Sequence, residues 1–104
     1  MKLFIKENPK IIQFKEHSVF FIGNTITLTC IASGNPTPKI KWLFKGKLLP
    51  PNVPGYRMVG NNHETLIVER AASMNGGKYS CLAENDGGRD QKDGIVTVFG
   101  IFFI

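Results

Sequence analysis

Few side chains in this 104-residue sequence could do acid–base, nucleophilic or metal chemistry near neutral pH. His17 and His63 are the two histidines. Each falls in an expected exposed edge or turn, and neither has a Cys, an Asp or a second His at ligand spacing, so both read as solvated histidines. Ser18, Ser33, Ser73 and Ser80 lack the strand–turn–helix setting of an activated serine. Gly76-Gly77 and Gly87-Gly88 could be mistaken for a phosphate cradle, but no helix follows to aim its N-terminus at an anion. The sequence therefore carries no catalytic constellation. No metal site is expected and no cofactor is called for.

The remaining reactive pair is Cys30 and Cys81. On facing strands, oxidation would close a loop of 51 residues, which the chain-entropy picture makes worth about 4 kcal/mol. The other state is a reduced pair of small buried side chains, as in a cytosolic domain. Trp42 lies between the cysteines and Tyr79 lies two residues before Cys81. An indole so placed reads as core rather than as a stacking platform for a base. Tyr79 reads as a structural hydrogen-bond donor rather than an acid.

The elements that must carry these residues are short. Turn residues recur at Gly23-Asn24, Gly34-Asn35-Pro36, Gly46, Pro50 to Gly55, Gly60-Asn61-Asn62, Asn75 to Gly77 and Asp86 to Gly88. Runs rich in Ile, Val, Thr and Phe lie between them, which predicts an all-β sandwich or barrel. Pro9 to Phe14 and Ser18 to Ile22 read as edge strands. Ile26, Leu28 and Cys30 alternate with Thr25, Thr27 and Thr29, a strand with one buried face. Ile40, Trp42 and Phe44 point inward on the next strand, and Lys45-Gly46 is a hairpin turn candidate. Ser33 to Pro38 reads as irregular. Leu66, Val68 and Ala71, then Tyr79, Cys81 and Ala83, then Val96 and Val98 complete the expected inner faces. No helical period longer than a turn is visible.

A net charge of +5 invites acidic partners. Lys39, Lys41 and Lys78 should share the outer face of one sheet, with Leu43, Leu82 and Ile95 among them. Such a face suits an acidic protein or a sulfated glycan; the alternative is a solvated face whose lysine stems cover apolar atoms. Nucleic acid is not expected, because no aromatic platform is predicted outside. Phe20, Phe21 and Ile22 cannot all face inward on an edge, so at least one should be exposed at an interface. The run Leu3 to Ile5 is too short for a leader, and no stretch approaches the roughly 20 apolar residues of a membrane span. The chain is expected to be one module of a longer protein, not inserted in a membrane.

These residues resemble a known family. Gly23, Ile26, Leu28 and Cys30, then Gly34-Asn35-Pro36, Pro38, Ile40 and Trp42, then Leu66 and Val68, then Gly77, Tyr79, Cys81, Ala83, Asn85 and Gly88 are similar to the I-set of the immunoglobulin superfamily. The resemblance implies two antiparallel sheets joined by one disulfide, Cys30 to Cys81, with Trp42 on the sulfurs and Tyr79 closing a corner. It assigns residues 1–8 to an N-terminal linker, 9–99 to the I-set domain and 100–104 to a C-terminal tail. A narrower likeness is to the second immunoglobulin domain of fibroblast growth factor receptors. It rests on Asn24-Thr25, Gly34 to Pro38, Trp42-Leu43, Gly55-Tyr56-Arg57, Leu66-Ile67 and Glu84-Asn85. It places Val19 and Phe21 at growth-factor contacts and Lys15 at a heparin lysine, whereas Asn24, Thr27 and Thr29 stand where basic residues are usual. The implied function is non-catalytic protein binding in the extracellular part of a cell-surface receptor or adhesion protein, the partner being a protein ligand or another immunoglobulin domain. The alternative is a structural module of an intracellular muscle scaffold.

The family usually has Asp at the position of Asn75, paired with a basic residue for which Arg57 is the candidate. A neutral Asn75–Arg57 hydrogen bond would be roughly half as strong as a charge-assisted one. On that pairing Asn75→Asp should raise the melting temperature at neutral pH, and an unchanged or lowered midpoint in a thermal scan counts against it.

Overall fold

Period-two alternation, broken every few residues by glycine, asparagine or proline, becomes nine strands and one turn of 3-10 helix in the computed structural model, which describes residues 5–100. The run at Leu3-Phe4 and the tail 101–104 lie outside the described residues. The strands are β1 (Glu7–Phe14), β2 (His17–Phe21), β3 (Ile26–Asn35), β4 (Lys39–Phe44), β5 (Lys47–Leu48), β6 (Tyr56–Val59), β7 (Thr65–Val68), β8 (Gly77–Asn85) and β9 (Gly88–Phe99). One sheet has the order β1-β3-β7-β6 and the other β2-β9-β8-β4-β5. Every pairing is antiparallel except β2 with β9, which is parallel.

The two sheets meet at a core that the alternation predicts. Ile26, Leu28 and Cys30 from β3 and Leu66 and Val68 from β7 face Ile40, Trp42, Tyr79, Cys81 and Ala83 from β4 and β8. Cys30 and Cys81 are bonded across the layers, with Cα atoms 6.4 Å apart. Trp42 stands directly opposite Cys81 in the β4–β8 ladder and has no exposed surface. Its indole N–H would be costly to bury alone, and it donates to the His63 carbonyl at 2.8 Å. Lys45 and Gly46 both take positive φ (51° and 81°), so the β4–β5 hairpin turn twists with its strands as expected.

The first edge changes sheets. β1 pairs with β3, the chain kinks at Lys15-Glu16, and β2 joins β9. The kink crosses β9 at Gly94, where a Cβ would sit 2.9 Å from the Lys15 carbonyl oxygen and 3.0 Å from the Phe14 ring. Only a residue without a side chain lets the backbones approach this closely. β1 begins at Glu7, two residues before Pro9. Its pairing also changes the reading of Ser33 to Pro38: β3 continues through Gly34 to Asn35, because Lys10 lies opposite Ser33 and Glu7 opposite Asn35. The glycine and the proline that follows suggested irregular chain, but a partner strand overrides local propensity here.

The corner before β8 is where the structure departs from the resemblance. Arg57 does not reach Asn75; its guanidinium pairs with Glu69 at 2.8 Å on the exposed side of the β6–β7 ladder. Asn75 is buried and satisfied from three sides. Its Oδ1 accepts the Ala72 N–H at 2.7 Å, its Nδ2 donates to the Tyr56 hydroxyl at 3.1 Å, and its carbonyl accepts the Tyr79 hydroxyl at 2.6 Å. An Asp at position 75 would thus gain no cation and would bury a charge, so the rise in melting temperature loses its basis. Burial first, and then the neighbouring Tyr56 hydroxyl, push the Tyr79 phenol far above its ordinary range, which keeps it a donor. Tyr79→Phe removes that donor and should lower stability by about 1–2 kcal/mol, read as a lower urea midpoint with an unchanged slope.

Candidate functional site

The candidate partner residues lie on the outer faces and edges of the sandwich. Directly opposed residues of an antiparallel ladder share a face. On the outside of the five-stranded sheet Lys41 lies opposite Leu82, Lys39 opposite Glu84, Leu43 opposite Ser80 and also Leu48, and Lys78 opposite Ile95. Lys39, Lys41, Leu43, Lys78 and Leu82 therefore do share one face, as the alternation predicts.

That face is mixed rather than basic. Glu84 and Asp93 lie on it as well, Asp93 opposite Ser80. Lys41 Nζ meets Glu84 Oε1 at 3.0 Å across the diagonal of the ladder. Hydrogen bonds from Ser80 and then Gln91, with the nearby Lys78 ammonium, hold the exposed Asp93 carboxyl below its ordinary value. The signal for both acids was present: the alternation that sends Leu82 and Ile95 outward sends Glu84 and Asp93 out with them. Leu43 and Leu82 are half-buried among their neighbours rather than fully displayed.

Val19 and Phe21 belong to a second surface, at the opposite side of the same sheet. β9 and β8 separate β2 from β4, so Lys15, Val19 and Phe21 do not join Lys39 and Lys41. β2 alternates cleanly. Ser18 and Phe20 turn toward the core, while Val19 (60% exposed) and Phe21 (47%) face solvent. Ile95 and Phe99 on β9 and the adjacent Ile22 are also exposed, and the rings of Phe21 and Phe99 are 6.5 Å apart. This border of the sheet thus carries five exposed apolar side chains, which is more than scattered surface apolarity.

The histidines take different places. His17 is exposed at the start of β2. His63, read as a solvated turn residue, is half-buried with a positive φ of 60°, and its carbonyl receives the Trp42 indole. It also borders a cavity of about 290 Å³ between the β4–β5 edge and the β6–β7 turn, floored by Ile40, Leu48, Leu49 and Met58. Among the described residues, no three His, Cys, Asp or Glu side chains are grouped to hold a metal ion.

Comparison with known proteins agrees with this architecture. The family profile described as "Immunoglobulin domain" matches residues 8–85. The vascular endothelial growth factor receptor kdr-like protein of Danio rerio is 34% identical over 91% of this chain, and palladin of Mus musculus is 34% identical over 88%. In each case the chain spans 7% of the relative's length. Among solved structures, the tandem immunoglobulin repeats of Dlar superpose with a TM-score of 0.80 at 32% identity, over 89% of this chain and 49% of that one.

Asp93 supplies a pH test of the outer face. Its folded pKa lies below the ordinary value near 3.8, so the stabilisation is present above that value and is lost as pH falls through the folded pKa. The urea midpoint of Asp93→Asn should therefore fall less than that of the unaltered protein as pH is lowered through this window.

Proposed function

The chain belongs to the immunoglobulin-domain family, and on that premise we propose that it is a non-catalytic protein-binding module from the extracellular part of a growth-factor-receptor-like or cell-adhesion protein. The observation that carries the reading is the exposed apolar strip of Val19, Phe21, Ile95 and Phe99, set on a fold whose interior is closed. A protein partner, or another immunoglobulin domain, would cover such a strip. The Cys30–Cys81 bond favours an oxidising compartment. The I-set subtype and the likeness to the second immunoglobulin domain of fibroblast growth factor receptors rest on the motifs quoted above. Residues 9–99 remain the proposed module, with Glu7 and Asn8 extending its first strand.

The two surfaces divide the work. Val19 and Phe21 form the apolar docking strip, and Lys15 lies in the kink that precedes β2. Lys39, Lys41, Leu43, Lys78 and Leu82 form a flatter polar face. Glu84 and Asp93 on that face favour a protein with both signs of charge over a sulfated glycan, whose uniform negative charge they would repel.

A second reading is favoured by one observation, the 34% identity with palladin. On that reading the domain is a structural module of an intracellular muscle scaffold, and the cysteines stay reduced in the cell. Alkylating free thiols in whole cells before lysis, followed by mass spectrometry of the full-length product, separates the two. The extracellular reading expects Cys30 and Cys81 unlabelled and linked; quantitative labelling of both would overturn it in favour of the scaffold.

A further inference from the structure

Asparagines are spread along the whole chain, and Asn75 is the one followed by glycine. That pair carries chemistry of its own. With no side chain on the next residue, the Gly76 backbone nitrogen can reach the Asn75 side-chain carbon and close a cyclic imide. A bond forms from Cγ to that nitrogen, the Cγ–Nδ2 bond breaks, and Nδ2 leaves as ammonia with the proton of the attacking nitrogen. Water then opens the ring at either carbonyl. One product is aspartate; the other is isoaspartate, with the main chain rerouted through Cγ. The reaction draws on nothing but the chain and water. Elsewhere a bulkier residue follows, and Asn8 and Asn35 precede prolines, which have no N–H proton to give.

In the folded corner every group in that reaction is held. Asn75 ends the 3-10 turn Ser73–Asn75 and is 8% exposed. The leaving nitrogen Nδ2 donates to the Tyr56 hydroxyl at 3.1 Å, and Oδ1 accepts the Ala72 N–H at 2.7 Å, so the side-chain amide is fixed at both ends. The attacking nitrogen is engaged as well, because the Gly76 N–H donates to the Ser73 carbonyl at 3.1 Å. The Gly76 backbone packs against β9: a Cβ there would lie 3.4 Å from the Val96 carbonyl oxygen and 3.6 Å from the Val98 side chain. The Tyr79 hydroxyl holds the Asn75 carbonyl at 2.6 Å. Ring closure therefore requires these contacts to part, which is a local opening of the corner.

We propose that Asn75-Gly76 is a self-modification site, a deamidation site that the folded corner holds shut and that reacts when the corner opens. Opening is thereby recorded irreversibly. A molecule that closes again as the aspartyl product has lost the Nδ2 donor to Tyr56 and has a charge to bury. In the isoaspartyl product the carbonyl that accepts the Tyr79 hydroxyl has left the main chain, so the corner closes on altered geometry. Time spent open, rather than total age, sets how much of the protein carries the change.

Peptide mass spectrometry of the full chain after incubation at mildly alkaline pH reads the conversion of the Asn75 amide to an acid. The oxidised native protein should react there at least about tenfold more slowly than the same protein unfolded in urea, one decade in the opening equilibrium. Tyr79→Phe, which releases the Asn75 carbonyl, should speed the reaction in the native protein by about 5- to 30-fold and leave the unfolded rate unchanged. Urea below the unfolding transition should leave the native rate nearly flat, because opening one corner exposes little surface. Three results each overturn the proposal: native and unfolded protein reacting at the same rate, a native rate indifferent to Tyr79→Phe, or a native rate that climbs with urea as steeply as global unfolding does.

Discussion

Everything in this fold is referred to one cross-layer link, the Cys30–Cys81 bond beside the Trp42 indole. It joins β3 of one sheet to β8 of the other near their middles. The segment between the cysteines, which are 51 positions apart, includes β4, β5, β6 and β7, so the link closes both sheets at once. Trp42 could not be buried there by packing alone, because its N–H needs an acceptor. The β6–β7 turn supplies one through the His63 carbonyl, and the Cys30 and Ile40 amides donate to the Glu64 and Asn62 carbonyls of the same turn. A loop that reads as mere punctuation is thereby fastened over the core.

A second constraint acts at the first edge. The chain must leave one sheet and enter the other within a few residues, and it does so by passing its backbone over Gly94. The result is that both sheets receive a strand from the same segment, β1 in one and β2 in the other. β2 reaches β9 in the same direction that β9 runs, which is why this one pairing is parallel. The outward display of Val19 and Phe21 follows from that register. Shifting β2 by one residue would bury them and expose Ser18 and Phe20 instead.

The architecture was largely legible because its signals are local. Alternation at Ile26-Leu28-Cys30 and at Tyr79-Cys81-Ala83 fixes which face is inner, and the turn residues fix where strands end. What was not legible depends on pairing between distant segments. The extension of β3 through Asn35 needs β1 opposite it. The partner of Arg57 is Glu69, twelve residues away on the neighbouring strand, rather than Asn75 at the corner. The lysine face reads as basic with apolar islands for the same reason. Alternation says that Lys39 and Lys41 point outward, but it does not say that Glu84 falls beside Lys41. The sequence reads the edge run Phe20 to Ile22 as an interface distinct from the lysine face, and the strand order places β9 and β8 between β2 and β4.

The parallel β2–β9 ladder also has a mechanical meaning. β2 leads into the domain from β1, and β9 is the last strand described. Tension entering through the front of β2 and leaving through the far end of β9 pulls these two parallel strands in opposite senses along their own axes. Every rung between His17-Ile95 and Phe21-Phe99 then bears force together, whereas an antiparallel pair pulled from its open ends would unzip one rung at a time. Once β1 is drawn off β3, resistance to stretching falls on five residue pairs at a single border of the sandwich, away from the sulfur bridge.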